Sequence, residues 1–515
     1  MNEKQYQELC NLCDKTLLAK DISIERVANN WLHVIREHPI FLSNYDELFE
    51  IGYFSKILIS KYKRILRNYL SVIKRIMKAL INHKKKYHSL TQLPTTPVDF
   101  LFVSHLMNES NLDQEKDIIY GNIPIKLNEK GYTVVIILIN HTTISEKKIK
   151  KKCKNYKIPK IILKNLISAS EEIRIFFKLR KESARLSACL GKETNGLKNR
   201  FLSRASQETL SSGTHANLRI YNQFNAIISE LQPSSIIITH EGHAWERMVF
   251  SAARQINTNI KLFGYQHSAL FRLQHAVCRK LNYYYNPDKI LTSGQASKIQ
   301  LKKKSGLDGI DITVIGSNRS LIKSNEYPDI LNTEKKINQS KTSSCLVLPE
   351  GIISECHLLF EFSYACAELC PDINFIWRLH PIISFESLLK DNTRYKRLPD
   401  NIILSNKSIY EDIFRCKWAM YRGSTAIVQA AMAGLTPIYL ELPGEMSIDP
   451  LYELNNIIDK IKTPSEFKKI ILSESKINNK ILNLNKQKMK KHCEKIYEPF
   501  DYEKIENILC DTKMN

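Results

Sequence analysis

Residues 235–268 read SIIITHEGHAWERMVFSAARQINTNIKLFGYQHS. The run opens with an Ile-rich segment at Ser235–Thr239, which predicts a buried strand. A polar turn and a helical segment follow, and a second apolar segment at Ile260–Phe263 predicts another strand. Strand, helix and strand in this order are typical of a parallel β-α-β unit.

The same alternation extends outward from this unit in both directions. The first series of predicted strands comprises Asp99–Val103, Tyr132–Ile139, Lys160–Leu163, Ser235–Thr239, Ile260–Phe263, Lys289–Leu291 and Ile312–Ile315. The second series comprises Cys345–Leu348, Phe375–Arg378, Asn401–Leu404, Trp418–Tyr421 and Pro437–Leu440. These short apolar runs between helical stretches predict two doubly wound α/β domains, which form a cleft between their sheet edges.

The flanking composition divides the 515 residues into five predicted parts. They are a helical N-terminal extension (1–95), a first α/β domain (96–320), a polar linker (321–341), a second α/β domain (342–463) and Lys-rich C-terminal helices (464–515). The Pro- and Thr-rich stretch TQLPTTP marks the first boundary. We expect the C-terminal helices to cross back to the first domain.

The overall composition limits the function classes. With 76 Lys and Arg against 53 Asp and Glu, the net charge of +23 attracts nucleic acid, anionic lipid or nucleotide-activated substrates. Among twelve Cys, Cys10 and Cys13 form a lone C-x-x-C without a partner motif, so we predict reduced thiols and no metal site. The polar start predicts no signal peptide, and the uncharged run Gly423–Leu440 predicts a helix and a strand. We therefore expect a cytoplasmic protein or one on a membrane surface.

One segment of the extension, residues 51–98, contains no Asp or Glu. Its basic residues include Lys61, Lys63, Arg64, Arg67, Lys74, Arg75, Lys78, Lys84, Lys85 and Lys86. An apolar stripe at helical spacing comprises Leu58, Tyr62, Ile65, Leu66, Tyr69, Ile73, Ile76, Met77 and Leu80. This pattern is typical of a helix lying on an anionic membrane, and equally of a basic helix whose apolar face packs on the protein.

In the second domain, polar residues follow three predicted strands. They are Glu350, Gly351, Arg378, His380, Pro381, Arg422, Gly423, Ser424 and Thr425. The Gly-Ser-Thr turn precedes a helix, so its free N–H groups and hydroxyls suit an anion. Together with the Arg and His side chains, the turn predicts a nucleotide-phosphate site. Alternatively, the hydroxyls only cap the helix and the His-Pro pair only ends a strand.

In the first domain, the densest polar cluster directly follows Ser235–Thr239. It comprises His240, Glu241, Gly242, His243 and Glu246, while Gln266 and His267 follow the next strand and His105 follows the first. Carboxylate and imidazole groups at neighbouring strand ends are what general-base activation of a hydroxyl requires. The spacing does not match the H-E-x-x-H zinc motif. Alternatively, His243 and Glu246 only cap or pair on the helix.

Several motifs together resemble those of bacterial surface-carbohydrate glycosyltransferases. They are WLHVIREHP, EGHAWE, GYQHS, RLHP, RGSTA and AMAGLTPI. The similarity extends over most of the chain and is nearest to capsule and lipopolysaccharide transferases that use CMP-activated ulosonic acids. The His-Pro and Ser-Thr elements also resemble those of glycerophosphotransferases that use CDP-glycerol.

The resemblance implies a GT-B fold, with the acceptor on the first domain and CMP on the second. It implies that His380, Ser424 and Thr425 hold the donor phosphate and that a first-domain carboxylate is the base. The related sialyltransferases have two acidic residues before a Gly, whereas this chain has His240-Glu241-Gly242. Glu241 is therefore the candidate base, and His240, His243 and His267 stay open as alternatives.

These features predict a metal-independent glycosyltransferase without a cofactor. It would move a sugar from a CMP donor onto a surface glycan or a lipid-linked glycan at the inner face of the bacterial membrane, with His105 and Gln266 on the acceptor side. The alternatives are a CDP-glycerol-type phosphotransferase, a GT-B sugar epimerase and a nucleic-acid-binding protein. We disfavour the last because the densest basic run lies in an apolar-faced helix and no recognised nucleic-acid motif is present.

Overall fold

A computed structural model describes residues 1–49, 54–81, 87–90, 92–95, 97–142, 144–153, 155–191, 196–321, 343–474 and 479–510. Within them the chain forms two sheets, of eight and six strands, with helices in the connections. The predicted linker 321–341 lies outside the described residues except for Leu321.

The first sheet has the strand order β1-β4-β3-β2-β5-β6-β7-β8. Its strands are β1 Tyr87–Ser89, β2 Phe100–Leu106, β3 Val134–Asn140, β4 Lys160–Leu163, β5 Ser235–Thr239, β6 Lys261–Gln266, β7 Lys289–Thr292 and β8 Asp311–Val314. Strand β1 pairs antiparallel with β4, and the other neighbours are parallel. The unit β5–β6 lies in the middle of this sheet, where β5 pairs with β2 and β6 pairs with β7.

The second sheet is parallel throughout, in the order β11-β10-β9-β12-β13-β14. Its strands are β9 Ser344–Leu348, β10 Asn374–Trp377, β11 Ile402–Leu404, β12 Trp418–Tyr421, β13 Thr436–Leu440 and β14 Asp459–Ile461. The strand order reverses between β9 and β12, and ligands bind at such a point in open α/β sheets.

Both faces of each sheet are buried at its central strands, which explains why these strands are continuous apolar runs. In β2, Phe100 and Phe102 belong to one core cluster and Leu101 and Val103 to another. The strands of the second sheet divide between two clusters in the same way. Two doubly wound, Rossmann-like domains facing a cleft form a GT-B arrangement, so the predicted fold class is confirmed.

Eighteen α-helices of the described residues cover these sheets and form the extensions. They are α1 Glu3–Leu17, α2 Ile24–Val27, α3 Pro39–Leu42, α4 Phe54–Ile81, α5 Ile123–Glu129, α6 Glu146–Cys153, α7 Ala169–Ala188, α8 Leu197–Thr209, α9 Ser212–Leu231, α10 Ala244–Ile256, α11 Gln295–Lys302, α12 Ile353–Leu369, α13 Phe385–Asp391, α14 Ile409–Arg415, α15 Ala426–Met432, α16 Pro464–Glu474, α17 Asn479–Ile496 and α18 Tyr502–Cys510. Across the described part of the chain, none of these helices has the length and hydropathy needed to span a membrane.

Both ends of the chain are packed against the α/β body. Leu9 and Cys13 of α1 share a core cluster with Leu179 of α7 and Phe201 of α8. At the other end, Cys493 of α17 lies in the core of the second domain. Ile505 and Leu509 of α18 lie in the core of the first domain. The C-terminal helices therefore connect the two domains.

Candidate functional site

A cleft of about 1090 Å³ lies between the two domains, and both contribute to its walls. The first domain supplies Glu241, His243, Ala244, Trp245 and Ser268. The second supplies Glu350, Gly351, His380, Pro381, Gly423, Ser424 and Thr425. These residues follow the ends of β5, β6, β9, β10 and β12. Since the carboxyl ends of parallel strands lie at one edge of a sheet, the residues of each domain meet there.

Glu246 shapes the loop between β5 and α10. Its carboxylate accepts hydrogen bonds from the backbone N–H groups of Glu241, Gly242 and His243, at 2.8–3.0 Å, and lies 3.1 Å from Nδ1 of His240. Gly242 has φ +88°, and a Cβ there would overlap the backbone of Ala276. Glu246 therefore has the capping role that was the alternative interpretation. The side chain of Glu241 takes no part in this cap and faces the cleft.

The Glu241 carboxylate lines the cleft and has two side-chain partners. Its Oε1 accepts a hydrogen bond from the Ser268 hydroxyl at 2.8 Å, and its Oε2 lies 3.6 Å from His243 Nε2. Burial raises the pKa of Glu241, but the adjacent imidazole of His243 and the charge of His267 outweigh it and hold the pKa well below its usual value. The contact with Glu241 in turn raises the pKa of His243 against the effect of burial.

Two further His rings, those of His105 and His267, lie near Glu241, and His141 contacts His105. His105 Nε2 lies 3.1 Å from the Thr239 hydroxyl, and its Nδ1 lies 2.9 Å from His141 Nε2. Burial, followed by the neighbouring His141, lowers the pKa of His105 to about 3. Burial also lowers the pKa of His267 to about 4. His141 was not predicted as a site residue, although it directly follows β3 at the same sheet edge as His105.

Two of the predicted first-domain residues lie beneath the cleft surface. His240 is buried, pairs with Glu246 and packs against Gly264, so its ring faces the core. Gln266 is fully buried, and its amide donates to the Ser268 carbonyl. Both side chains therefore contact the strand ends that carry Glu241 and Ser268. Neither of them lines the cleft.

In the second domain, His380 packs directly against Gly351. A Cβ at Gly351 would lie 2.7 Å from His380 Nδ1, so the absence of a side chain at position 351 makes room for the ring. Burial, with the nearby charge of Arg319, lowers the pKa of His380 to about 4, and the ring is neutral at pH 7. His380, Pro381, Ser424 and Thr425 all line the cleft.

Two arginines predicted at the phosphate site have protein partners instead. Arg378 donates to Asp412 and to the Lys407 carbonyl, both at 2.7 Å. Arg422 is buried and forms ion pairs with Glu355, at 2.6 Å, and with Glu445. Their guanidinium groups hold elements of the second domain together. The prediction that they close on a phosphate therefore conflicts with this geometry.

Glu350 lines the cleft but is also committed to other residues. Its carboxylate pairs with Arg36 at 2.5 Å and with His38 at 3.1 Å, and it packs against Gly423. Burial raises the pKa of Glu350, but the hydrogen bond with His38 and the charge of Arg36 lower it to about 2. The predicted phosphate-site residue is thus an anion that connects the N-terminal extension to the second domain.

His38, Glu350 and Glu355 form the one group among the described residues whose ligand atoms could converge on a metal, within 4.8 Å of one another. Arg36 already neutralises Glu350, and Arg422 neutralises Glu355. A divalent cation there would be repelled by two guanidinium groups. The cluster fits a buried ion-pair network better than a metal site.

Arg319 is a cleft residue that no sequence motif predicted. It lies in the polar stretch after β8, donates to Tyr497 at 3.2 Å and reaches the Thr425 hydroxyl at 3.5 Å. Its charge acts on His267 in the first domain and on His380 in the second. Arg319 is therefore a cation between the carboxylate wall and the Ser-Thr wall of the cleft.

No protein-family model matches the chain, and no curated protein matches its sequence. Among solved structures, the chain is similar to UDP-GlcNAc 2-epimerase from Neisseria meningitidis bound to UDP-GlcNAc, with 11% identity, a TM-score of 0.45, and coverage of 81% of this chain and 100% of that chain. It is also similar to Acinetobacter baumannii MurG, with 10% identity, a TM-score of 0.44, and coverage of 80% and 99%. A third similar structure is Anabaena Alr3699/HepE in complex with UDP and glucose, with 13% identity, a TM-score of 0.42, and coverage of 81% and 99%.

Proposed function

We propose that this chain is a glycosyltransferase that moves a sugar from a nucleotide donor onto an acceptor hydroxyl. The observation that carries the proposal is one cleft with two chemically different walls. The first-domain wall presents the Glu241 carboxylate. The second-domain wall presents His380, Ser424 and Thr425, with Arg319 between the walls. Proton abstraction from an acceptor and stabilisation of a phosphate leaving group need this pairing.

On the acceptor side, Glu241 accepts the hydroxyl proton as the oxygen attacks the anomeric carbon. The low pKa of Glu241 keeps it ionised but makes it a weak base in the empty cleft. The negative charge of a donor phosphate, placed beside Arg319 and His243, would raise that pKa towards a useful value. His243, 3.6 Å from Glu241, is the next candidate for the base.

On the donor side, the nucleotide leaves with negative charge on its phosphate oxygens. Arg319 supplies the positive charge, and the hydroxyls of Ser424 and Thr425 donate hydrogen bonds. His380 is neutral at pH 7, so it contributes an N–H donor and not a charge. Such preorganised donors, directed at the position where charge develops, stabilise the transition state in a cleft that excludes water.

The finer proposal is a CMP-linked ulosonic acid donor and a bacterial surface glycan acceptor, at the cytoplasmic face of the membrane. It rests on the sequence motifs, of which RLHP and RGSTA supply His380, Ser424 and Thr425 to the cleft. The rival donors are CDP-glycerol and a UDP-sugar, and an epimerase would convert the latter without an acceptor.

The decisive experiment is a thermal-shift panel with CMP, CDP, UDP and adenine nucleotides, followed by incubation with CMP-ulosonate, CDP-glycerol or UDP-N-acetylglucosamine. A nucleotide present at a hundred times its Kd stabilises by about 2.7 kcal/mol, so the matching base raises Tm. We expect CMP to do so and Arg319→Ala to remove the shift. Arg378→Ala is the matched control and should retain it, because that guanidinium is held by Asp412.

A shift with UDP alone would replace the CMP donor while keeping nucleotide-sugar chemistry. Conversion of a UDP-sugar without acceptor would replace transfer with epimerisation. If no nucleotide changes Tm in the intact protein, the proposed function is wrong.

A further inference from the structure

Helix α4 has an apolar face that remains open to solvent. Seven of its large apolar residues are 56–79% exposed. They are Tyr62, Leu66, Leu70, Ile73, Met77, Leu80 and Ile81. Their spacing of three and four residues places them on one side of the helix. The packing alternative from the sequence is therefore wrong for these residues, since they contact solvent and not the protein.

A different edge of α4 holds the helix in place. Asn68, Val72 and Ala79 are buried, and the Asn68 amide donates to the Gln207 carbonyl of α8 at 3.2 Å. Arg64 is paired with Glu47 at 3.1 Å. The exposed face is thus fixed in orientation and is not a helix that has failed to pack.

The apolar face continues onto α7. Tyr69 contacts Phe176 edge-on with ring centroids 5.6 Å apart, and Phe176 contacts Phe177. Phe177 is 58% exposed and Ile173, one turn earlier, is 40% exposed. We call these two residues and the seven of α4 the apolar surface. An exposed patch drawn from two helices marks an interaction site more often than scattered single residues do.

Basic side chains border the apolar surface. The exposed ones on α4 and α7 are Lys63, Arg67, Lys74, Lys78, Arg174, Lys178, Arg180 and Lys181. Among the described residues of these two helices, no Asp or Glu is exposed. An apolar face with a purely cationic border matches the chemistry of a bilayer that contains anionic lipid.

We propose that the apolar surface docks on a membrane that contains anionic lipid. The apolar side chains would enter the interfacial region, and the Lys and Arg side chains would contact the lipid headgroups. A second copy of this chain fits less well, because a symmetric contact would bring two cationic borders together. The 28 residues of α4 span roughly 42 Å, so a helix lying along the membrane plane would present a long contact line.

The position of α4 connects docking with the proposed transfer. Arg67, Asn68 and Ser71 line the cleft on the side of α4 that adjoins its basic edge. Docking would hold the mouth of the cleft beside the bilayer. A lipid-linked acceptor could then enter without leaving the membrane. This step rests on the proposed function, whereas docking itself does not.

The test is co-sedimentation of the full chain with vesicles of phosphatidylcholine alone or of phosphatidylcholine mixed with phosphatidylglycerol, without nucleotide or acceptor. We expect at least about tenfold tighter binding to the mixed vesicles, weakening as salt rises. The combined variant Leu66→Ser, Leu70→Ser and Ile73→Ser should weaken binding by about tenfold or more. Reversing Lys63, Lys74 and Lys78 to Glu should weaken it by roughly a hundredfold.

Matched controls exist on the C-terminal helices. Leu472, Ile481 and Leu484 are 50–60% exposed, close to the exposure of Leu66, Leu70 and Ile73 on α4. Changing these three control residues to Ser should leave vesicle binding intact. The control for the charge reversal changes Lys468, Lys469 and Lys488 to Glu, which gives the same change in net charge. This control should also leave vesicle binding intact. Equal losses in surface and control variants, binding to neither vesicle type, or equal binding to both would overturn the proposal. So would a lipid-free dimer that the α4 Ser variant converts to a monomer. None of these outcomes depends on transfer activity.

Discussion

Glu241 and Glu246 are five residues apart, yet their carboxylates have different surroundings. Glu246 is 1% exposed and accepts three backbone N–H groups, so its charge is fully used in holding the β5–α10 loop. The Glu241 carboxylate contacts the side chains of Ser268 and His243 and faces the cleft. One carboxylate therefore maintains the loop that presents the other, and substitution should separate the two roles.

We predict that Glu241→Gln lowers transfer by a factor on the order of a hundred to ten thousand, the usual contribution of a general base. Gln keeps the size of the side chain and can still bond Ser268, but it has no basic oxygen. Nucleotide affinity should stay nearly unchanged, because the donor wall lies in the other domain. Transfer kinetics and a nucleotide titration on the same preparation measure the two effects.

Glu246→Gln is the matched control at this loop. It should lower Tm, since a neutral amide oxygen replaces a carboxylate that serves three N–H donors and His240. Full transfer by a well-folded Glu241→Gln protein would remove Glu241 from the reaction and make His243 the next residue to change.

At the scale of elements, local patterns were sufficient for the sheets. Every predicted strand is present because strands buried on both faces are continuous apolar runs, which adjacent residues reveal. The two strands that were missed lie at sheet edges: β1 reads Tyr-His-Ser and β14 reads Asp-Lys-Ile. Neither has the apolar run that predicts a strand.

The candidate site was less predictable, because side-chain partners come from distant parts of the chain. Strand-end position correctly suggested that Glu241, His380 and Ser424 could meet in one cleft. It could not show that Arg422 is already bound by Glu355, 67 residues away. Nor could it show that Arg319 of a polar stretch lies in the cleft. The partner of a charged residue depends on tertiary packing, which local spacing does not encode.

The N-terminal extension offers an element-scale test through Glu350. We predict that Glu350→Ala destabilises the protein by about 3–5 kcal/mol, the usual loss when one partner of a buried ion pair is removed. Arg36 and the fully buried His38 would lose their anion. Chemical denaturation measures this loss in the free energy of unfolding. Nucleotide affinity of the folded fraction should be kept or should rise, because the change removes an anion that repels a phosphate.

The control is Glu368→Ala. Glu368 is 54% exposed and pairs with the 51% exposed Arg394, so its loss should cost no more than about 1 kcal/mol. A Glu350→Ala protein as stable as this control, but unable to bind nucleotide, would restore Glu350 to the donor site.

For the whole molecule, the two domains are connected by more than the linker. The extension reaches the second domain through Arg36 and His38, which pair with Glu350. The C-terminal helices return from the second domain to the first, and Tyr497 at their turn accepts a hydrogen bond from Arg319 in the cleft. Opening of the cleft must therefore accommodate both connections. We infer that cleft geometry and global stability are coupled.

This coupling makes the buried His residues relevant to pH dependence. Burial is the largest cause of a lowered pKa at eight of them, and the pKa falls to about 3 at His105 and His215 and to about 4 at His267 and His380. The pKa is also lowered at His33, His141, His240 and His492. Only the raised pKa of His243 opposes them among the resolved shifts of the cleft histidines. In the unfolded chain these rings titrate near 6.5.

We predict that Tm falls steadily as pH is lowered from about 6.5 to about 4. In that window the unfolded chain binds protons that the folded chain excludes, so stability is gained as pH rises and lost as it falls. At pH 5.5 unfolding should take up on the order of four protons from these groups. The carboxylates with lowered pKa, such as Glu350 at about 2, add their losses only below about pH 4.5.

Scanning calorimetry across this range measures the slope of Tm against pH. His380→Gln should reduce the proton uptake by about one, since Gln does not titrate. A Tm that is constant or rises between pH 6.5 and 4.5 would mean that the buried rings are protonated in the fold, and His380 would then bind a donor phosphate as a cation.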